Sequence, residues 1–131
     1  MKKTITINGD NIHDIPSLYE ELNRVFMADE DWKLGQSLDA LNDMLYGAYG
    51  AAQGDGPIEL VWLNIDKNKE DLGLQATKEF YENKLQHPET YNQELAKKNL
   101  SDLENGTGKT YFDIVMEIIA GHKNIQFITS S

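Results

Sequence analysis

The chain has 131 residues, a length typical of one domain, and its 22 acidic and 12 basic residues give a net charge of -10. Cysteine is absent, which excludes disulfide scaffolds, thiolate metal sites and cysteine nucleophiles. Binding to nucleic acid or to an anionic membrane needs a basic surface, so the charge argues against both. Two interpretations of the negative charge remain: a solvated acidic surface with no binding role, or a surface that binds a basic partner.

The N-terminal sequence predicts a cytoplasmic protein. Two lysines are followed by alternating polar and apolar residues rather than by the apolar run of a signal peptide. No apolar run approaches the roughly 18 residues that a membrane-spanning helix needs. Apolar residues make up 40% of the sequence, which suffices for one modest core, so we expect a single domain over residues 1–131.

Two elements are predicted near the N-terminus. Residues Thr4–Asn8 alternate polar and apolar side chains, which is typical of a strand. Asp14 and Pro16 favour the start of a helix. The apolar residues that follow are spaced i, i+4, i+7 and i+8 and form one stripe along that helix: Leu18, Leu22, Val25 and Phe26.

A second helix is predicted over Leu38–Tyr46, after an acidic loop. Ser37 is a suitable N-cap, and a glycine-rich loop over residues 47–57 follows the helix. The leucines of this helix fall on one side. Asp39 and Asp43 lie one turn apart and project from the opposite side.

The rest of the chain predicts two strands with helices between them. Ile58–Leu63 is apolar enough for a strand that is buried on both faces. The expected later elements are helices over Leu72–Leu85, Tyr91–Leu103 and Tyr111–Ala120 and a strand over Asn124–Thr129. Strands separated by helices pair in parallel. The order therefore predicts a two-layer α/β fold, in which a small three-stranded parallel sheet packs against helices.

Three sequence patterns suggest a ligand-binding site, but none has the residue spacing that such a site requires. Gly106–Thr110 resembles a phosphate-binding loop, but Leu103 stands where its first glycine is needed. Asp66–Asp71 resembles the start of a calcium loop, but Asp71 stands in the place of its glycine, so we predict a solvated turn there. The histidines have no candidate ligand at helical spacing: His13, His87 and His122. We therefore predict no cofactor and no metal site on these residues.

Acidic side chains form the candidate site. Asp39 and Asp43 share one side of the second helix, where like charges four residues apart repel by roughly 0.2–0.5 kcal/mol. Other acids lie on the last helix and in the loop before the second helix: Asp113, Glu117, Glu30 and Asp31. Such a cluster is either a solvated surface or a site for a cation, whether a metal ion or a basic protein. Trp32, in the same loop, is either an inward anchor or an exposed interface residue.

The sequence of residues 35–43, Gly-Gln-Ser-Leu-Asp-Ala-Leu-Asn-Asp, resembles the barstar family, whose members are intracellular inhibitors of the ribonuclease barnase. Residues 5–9 and 15–19, together with the later strands and the last helix, are similar in the same order. Segment 64–104 is far longer than the corresponding part of the family. The resemblance implies a barstar-like α/β fold and a protein that is not an enzyme.

The resemblance also implies a binding surface. Family members close the active site of the ribonuclease with the loop and the second helix, and their acidic side chains stand where RNA phosphates bind. Gly35, Asp39 and Asp43 match the family position by position, and Glu117 falls at its acidic contact on the last helix. Asp43 is therefore expected to be the principal phosphate mimic.

Four residues of the expected surface depart from the family. Lys33 and the leucine after it replace paired tyrosines, and Trp32 stands just upstream. Ser37 replaces an asparagine, and Asn42 replaces a tryptophan. The acidic contacts are thus kept while the aromatic contacts change. The expected partner is a basic, extracellular-type ribonuclease or ribonuclease toxin, bound by a protein that is a monomer when free.

Two other functions remain open. Asp39, Asp43 and Glu117 could hold a divalent cation for metal-assisted hydrolysis, although no histidine lies in those segments. Alternatively, segment 64–104 could dock an unrelated protein and make the chain an acidic adaptor. Deleting that segment would leave ribonuclease inhibition intact if the chain is an inhibitor, and would abolish the function of an adaptor.

Overall fold

The computed structural model describes residues 3–47, 50, 53 and 56–130. Over these residues the predicted α/β fold is confirmed, because helical segments separate strands that form a parallel sheet. The strands are β1 (Lys3–Asn8), β2 (Ile58–Leu63) and β3 (Ile125–Ser130). The helices are α1 (Ile15–Phe26), α2 (Leu38–Leu45), α3 (Ile65–Asp71), α4 (Leu74–Leu85), α5 (Gln93–Glu104) and α6 (Tyr111–Ala120), and a 3₁₀ turn at Gly9–Asn11 follows β1.

The central strand of the sheet is β2. It pairs in parallel with β1, where Ile5 is opposite Leu60, and with β3, where Leu60 is opposite Phe127. Ile7 and Trp62 are also opposite each other, and both are fully buried. The register therefore places the buried apolar residues of the three strands on one face. Consecutive strands are connected by helices, and such long connections allow the strands to pair in parallel. A tight hairpin can connect only antiparallel strands.

The prediction that β2 is buried on both faces is wrong. Its side chains alternate between buried and partly exposed, and Leu63 is 37% exposed. The helices therefore cover one face of the sheet, while residues on the other face, such as Val61, are only partly buried. An apolar run misleads here because aliphatic residues suit a strand even where burial is incomplete.

Buried side chains of α1, α2 and α6 meet the apolar face of the sheet. They are Leu22 and Phe26 from α1, Leu41 and Leu45 from α2, and Val115 and Ile119 from α6. A side chain of this kind stabilises the fold by roughly 1.5–3 kcal/mol when it is fully buried. Because α2 is attached to the core through its leucines, its opposite side is left to solvent.

The prediction of a solvated turn at Asp66–Asp71 is wrong, because these residues lie in α3. Asn68 of this helix is fully buried. Its Oδ1 accepts a hydrogen bond from Nε1 of Trp62 (2.7 Å), and its Nδ2 donates to the backbone oxygens of Gly9 (3.0 Å) and Ile12 (3.2 Å). A buried polar residue thus fixes α3, and hydrophobic periodicity gives no signal for such a residue.

Both α4 and α5 begin two residues later than predicted. α4 begins at Leu74, because Leu72 is the C-cap of α3. α5 begins at Gln93, because Asn92 is its N-cap and accepts a hydrogen bond from the backbone N of Leu95 at 3.1 Å. Part of the predicted loop 47–57 lies outside the described residues, namely residues 48, 49, 51, 52, 54 and 55.

Candidate partner-binding surface

Helix α2 presents the two predicted acidic residues to solvent. Ser37 caps the helix, with its Oγ accepting a hydrogen bond from the backbone N of Ala40 at 3.2 Å. Because Leu41 faces the core, Asp39 and Asp43 lie exposed on the opposite side. The dipole of α2 stabilises the negative charge of Asp39 in its first turn and does little for Asp43, which lies beyond that turn.

The loop before α2 is held by a side chain that sequence reasoning missed. Asn23 of α1 accepts through Oδ1 from the backbone N of Leu34 (2.6 Å) and donates through Nδ2 to the backbone oxygen of Leu34 (3.1 Å). The Leu34 side chain is itself buried in the core. These contacts fix the loop and leave the neighbouring Lys33 and Gly35 exposed. A surface fixed before binding loses less conformational entropy when a partner docks.

Gly35 is exposed, and the fold does not require a glycine there. A Cβ added at this position would meet no atom within 4 Å, and the backbone φ lies outside the left-handed region. Open space beside a glycine lets another protein approach the backbone closely. The position is therefore suited to a contact with a partner.

The sequence leaves open whether Trp32 is an inward anchor or an exposed residue. The structure shows that it is exposed, with 44% of its surface accessible. It lines an open cleft of about 400 Å³ between α1 and the loop, together with Glu20, Arg24, Glu30 and Lys33. The Glu30 carboxylate accepts a hydrogen bond from the backbone N of Gly50 at 3.3 Å. Tryptophan and arginine are enriched where proteins bind one another, so the cleft is suited to an interface.

Helix α6 packs beside α2. At the starts of the two helices, Asp39 and Tyr111 line one groove. Near their ends, Oδ1 of Asn42 lies 2.8 Å from Nε2 of His122, which follows α6. The exposed carboxylates of α2 and the exposed Glu117 of α6 therefore lie on neighbouring helices.

Asn42 joins α2 to the end of α6. Burial lowers the pKa of His122, so its ring is neutral near pH 7. Because the amide oxygen of Asn42 can only accept, the neutral ring donates to it from Nε2. Asn42 is half-buried. It therefore has a structural contact that the sequence did not indicate, and its contact with a partner stays a prediction.

Tyr46 is an exposed residue of this surface that sequence reasoning missed. It is the C-cap of α2, which ends at Leu45, one residue earlier than predicted, and it is 68% exposed. Its ring centre lies 4.3 Å from that of His122 in an edge-to-face arrangement. Tyr46 follows Asp43 by three residues, a spacing that places both on the same side of α2 and that was available in the sequence.

Glu117 is exposed but already has a partner. Nζ of Lys109 lies 2.8 Å from Oε1 and 3.0 Å from Oε2 of Glu117. The two side chains are 60% and 55% exposed, respectively. An ion pair this exposed contributes roughly 0–1 kcal/mol. Glu117 can therefore exchange Lys109 for a basic side chain of another protein with little loss of stability.

The described residues contain no group of three or more histidines and carboxylates placed to hold a metal ion. The metal-dependent alternative needs Asp39, Asp43 and Glu117 to converge in this way, and they do not do so within the described part of the chain. Across the same residues, every helix is too short or too polar to cross a membrane.

The fold and the surface define a small α/β protein with exposed acids on two neighbouring helices. A family model described as Barstar (barnase inhibitor) matches residues 2–82, which are 81 of the 131 residues. The chain therefore belongs to the barstar family, whose proteins are ribonuclease inhibitors rather than enzymes. The match includes the loop and α2 and leaves Glu117 outside it. A comparison with curated proteins found no match.

Proposed function

We propose that this protein inhibits a basic ribonuclease by covering the active site of the enzyme. The partner would be an extracellular-type ribonuclease or a ribonuclease toxin. The proposed contact region, called the acidic surface below, consists of Trp32, Lys33, Gly35, Ser37, Asp39, Asn42, Asp43 and Glu117. The observation that carries the proposal is the exposure of Asp39 and Asp43 on the outer side of α2, in a chain of the barstar family.

Neighbouring carboxylates are suited to stand in for RNA phosphates. A ribonuclease binds phosphate through basic side chains, and a carboxylate accepts the same charge-assisted hydrogen bonds. Asp39 and Asp43 repel each other by roughly 0.2–0.5 kcal/mol at their spacing of four residues. A basic side chain that binds between them relieves this repulsion, so the arrangement favours the bound state.

The net charge supports fast association with a basic enzyme. The chain carries a charge of -10, and attraction between opposite charges raises association rates to about 10⁸–10⁹ M⁻¹s⁻¹ at low salt. The same charge disfavours binding of RNA itself. Added salt is expected to slow association, because it screens the attraction.

The residues around the carboxylates would supply the remaining contacts. Trp32 offers apolar area beside the loop, and Gly35 lets the enzyme approach the backbone. Ser37 sets the start of α2, and with it the direction of Asp43, which we take as the principal phosphate mimic. Lys33 places a positive charge within this surface. Because it repels the cations of a basic enzyme, fewer such enzymes can bind here.

We also propose that the protein acts as an immunity protein in the cytoplasm and is a monomer when free. An acidic surface on one protomer is sufficient to block one active site, so a one-to-one complex is expected. Light scattering on the free protein and on the complex would measure both masses. A free dimer would contradict this part of the proposal.

The test is inhibition of RNA hydrolysis by a panel of basic ribonucleases and ribonuclease toxins, with barnase as the reference. We expect one-to-one inhibition of at least one enzyme, in competition with RNA. Truncating one member of a buried charge pair at an interface costs roughly 2–5 kcal/mol or more, and the barnase–barstar pair is itself one of the systems in which such costs are known. Asp43→Ala is therefore expected to raise the Kd by at least about 30-fold.

Glu104→Ala is the matched control. Glu104 is an exposed acid at the end of α5, outside the acidic surface, so the variant changes the net charge equally. Its Kd is expected to stay within about twofold of the parent value, because an exposed charge away from the contact acts only through screened, long-range forces. The proposal is overturned if no enzyme of the panel is inhibited, or if the two variants lose affinity equally.

A further inference from the structure

A groove of about 450 Å³ lies between the start of α2 and the last turns of α4. Its walls include Ser37, Leu38 and Asp39 on one side and Phe80, Lys84 and Tyr91 on the other. Asp39 thus belongs both to the acidic surface and to this groove. Lys84 and Tyr91 belong to segment 64–104 and lie beyond the residues matched by the family model.

Lys84 is a half-buried cation in this groove. Its Nζ lies 4.5 Å from the ring centre of Phe80 and 5.2 Å from that of Tyr91, and at these distances an aromatic face attracts a cation. Among the described residues, no carboxylate lies within ion-pair distance of Lys84. Burial accordingly lowers the pKa of Lys84. The two rings therefore act as a cation-binding wall of the groove.

Contacts within the protein fix this wall. The backbone N of Tyr91 donates to the backbone oxygen of His87 (3.1 Å), and Nε2 of Gln93 donates to the backbone oxygen of Lys84 (3.1 Å). These bonds close the turn between α4 and α5. Phe80 packs edge to face against a buried tyrosine of α6, with ring centres 5.2 Å apart. The wall is therefore formed before any partner binds.

Arginine is the side chain whose chemistry fits both walls. Its planar guanidinium stacks on an aromatic ring and can donate hydrogen bonds to a carboxylate at the same time. The ammonium of Lys84 contacts the rings and does not reach Asp39 within ion-pair distance. The carboxylate wall is thus left for a cation that is supplied by another molecule.

We propose that this groove is a cation subsite of the acidic surface, in which an arginine of the basic partner inserts between Tyr91 and Asp39 and displaces Lys84. The identity of the partner rests on the proposed function. The subsite gives segment 64–104 a part in partner recognition. Lys84 then acts as a competing cation in the free protein.

The first test titrates N-acetyl-arginine amide into the protein and follows backbone amide shifts by NMR. We expect saturable shifts confined to the walls of the groove. Tyr91→Ala and Asp39→Asn are expected to weaken binding of the probe at least about threefold, and Lys84→Gln to strengthen it about threefold. Leu95→Ala is the control, because Leu95 is an exposed apolar residue on α5 outside the groove, and this variant is expected to change nothing.

The sign of the Lys84→Gln effect is decisive. Weaker binding of the arginine probe in this variant, no saturable shifts in the parent protein, or unchanged binding in Tyr91→Ala would each overturn the subsite. Sodium acetate serves as the anionic probe, and preferential binding of acetate in the groove would also overturn it.

The second test uses the ribonuclease that the panel identifies. Tyr91→Ala is expected to raise its Kd about tenfold, whereas Tyr91→Phe, which keeps the ring, stays close to the parent value. If Asp43→Ala weakens the complex and Tyr91→Ala does not, the subsite is wrong and the proposed function stands. If the arginine probe binds but no ribonuclease is inhibited, the subsite stands and the proposed function is wrong.

Discussion

The acidic surface and segment 64–104 differ in the part that their polar side chains take in folding. Helix α2 is held by buried leucines, so the charges on its outer side take no part in folding. The segment packs apolar residues such as Leu72 into the core, and buried polar side chains also hold it: Asn68 binds Trp62, and Oγ1 of Thr77 accepts from the backbone N of Tyr111 at 2.7 Å. The exposed carboxylates of α2 are therefore free for binding in the first region, whereas buried polar residues help to carry the structure in the second.

Asn68→Ala is expected to show the largest effect on stability. Nε1 of the buried Trp62 loses its partner in this variant, which costs roughly 1–3 kcal/mol, and the backbone oxygens of Gly9 and Ile12 each lose one of two hydrogen bonds. The free energy of unfolding should therefore fall by about 3 kcal/mol or more. Urea unfolding followed by circular dichroism measures this change.

Asn99→Ala is the control for Asn68→Ala. Asn99 is a half-buried residue of α5 that takes part in no such network, so its free energy of unfolding should change by less than about 0.5 kcal/mol. If the two variants lose equal stability, buried polar contacts are not what attaches the segment.

Glu21 extends the comparison to a buried charge. Burial alone would raise its pKa, but hydrogen bonds from Arg24, from the backbone N of Asn8 and from Asn11 outweigh it and hold the pKa below the ordinary value of 4.5. A lowered pKa means that the carboxylate stabilises the fold above that ordinary value, and that this contribution is lost as the pH falls below it. Glu21→Gln should lower the free energy of unfolding at pH 7 by about 2 kcal/mol and flatten its decline in acid.

The neighbouring Glu20→Gln is the control, because Glu20 is exposed. Unfolding measured across the acidic pH range should show the parent slope for this variant and a shallower slope for Glu21→Gln. A Glu21→Gln variant with the parent slope would mean that the internal hydrogen bonds do not favour the carboxylate.

Asn42→Ala tests a residue of the acidic surface that the fold also uses. It removes the hydrogen bond to the buried His122, and the free energy of unfolding should fall by roughly 1–2 kcal/mol. Asn42→Asp keeps an acceptor oxygen and should retain most of the stability. Thermal unfolding at pH 7 compares the two, and a fully stable Asn42→Ala would place Asn42 with the residues that serve binding alone.

Asp43→Ala should have the smallest effect on stability, in contrast to its effect on binding. Removing the repulsion from Asp39 leaves the fold as stable as the parent or more stable by roughly 0.2–0.5 kcal/mol. Urea unfolding of the variant checks this expectation. An Asp43→Ala protein that unfolds would show that Asp43 is structural, and the comparison between the two regions would fail.

The pattern of apolar residues was sufficient to predict the three described strands and every described α-helix except α3, with α4 and α5 beginning two residues later than predicted. The stripe on α1 and the leucines of α2 identify residues that must be buried, and this fixes the exposed side on which Asp39 and Asp43 lie. The sequence could not predict α3, because its buried residue is Asn68 and the rest of the helix is highly charged. Burial on one face of β2 was missed because its apolar run does not alternate.

The candidate site was predictable only where residues are close in sequence. Helical spacing relates Asp39 to Asp43, but no spacing rule relates Asn23 to Leu34, whose contact depends on how the loop folds back onto α1. The groove could not be predicted either, because Tyr91 comes from an element far along the chain. Contacts of this kind are set by packing in three dimensions.

The ion pair between Glu117 and Lys109 affects the order in which contacts with the proposed enzyme would form. An acid whose charge is already balanced adds little to the field that an approaching enzyme meets from a distance. Among the described residues, the carboxylates of α2 have no such counterion, so in the proposed complex α2 would set the orientation of the first encounter. Contacts from α6 would form only after the two proteins touch, when a basic group of the enzyme replaces Lys109 as the ion-pair partner of Glu117.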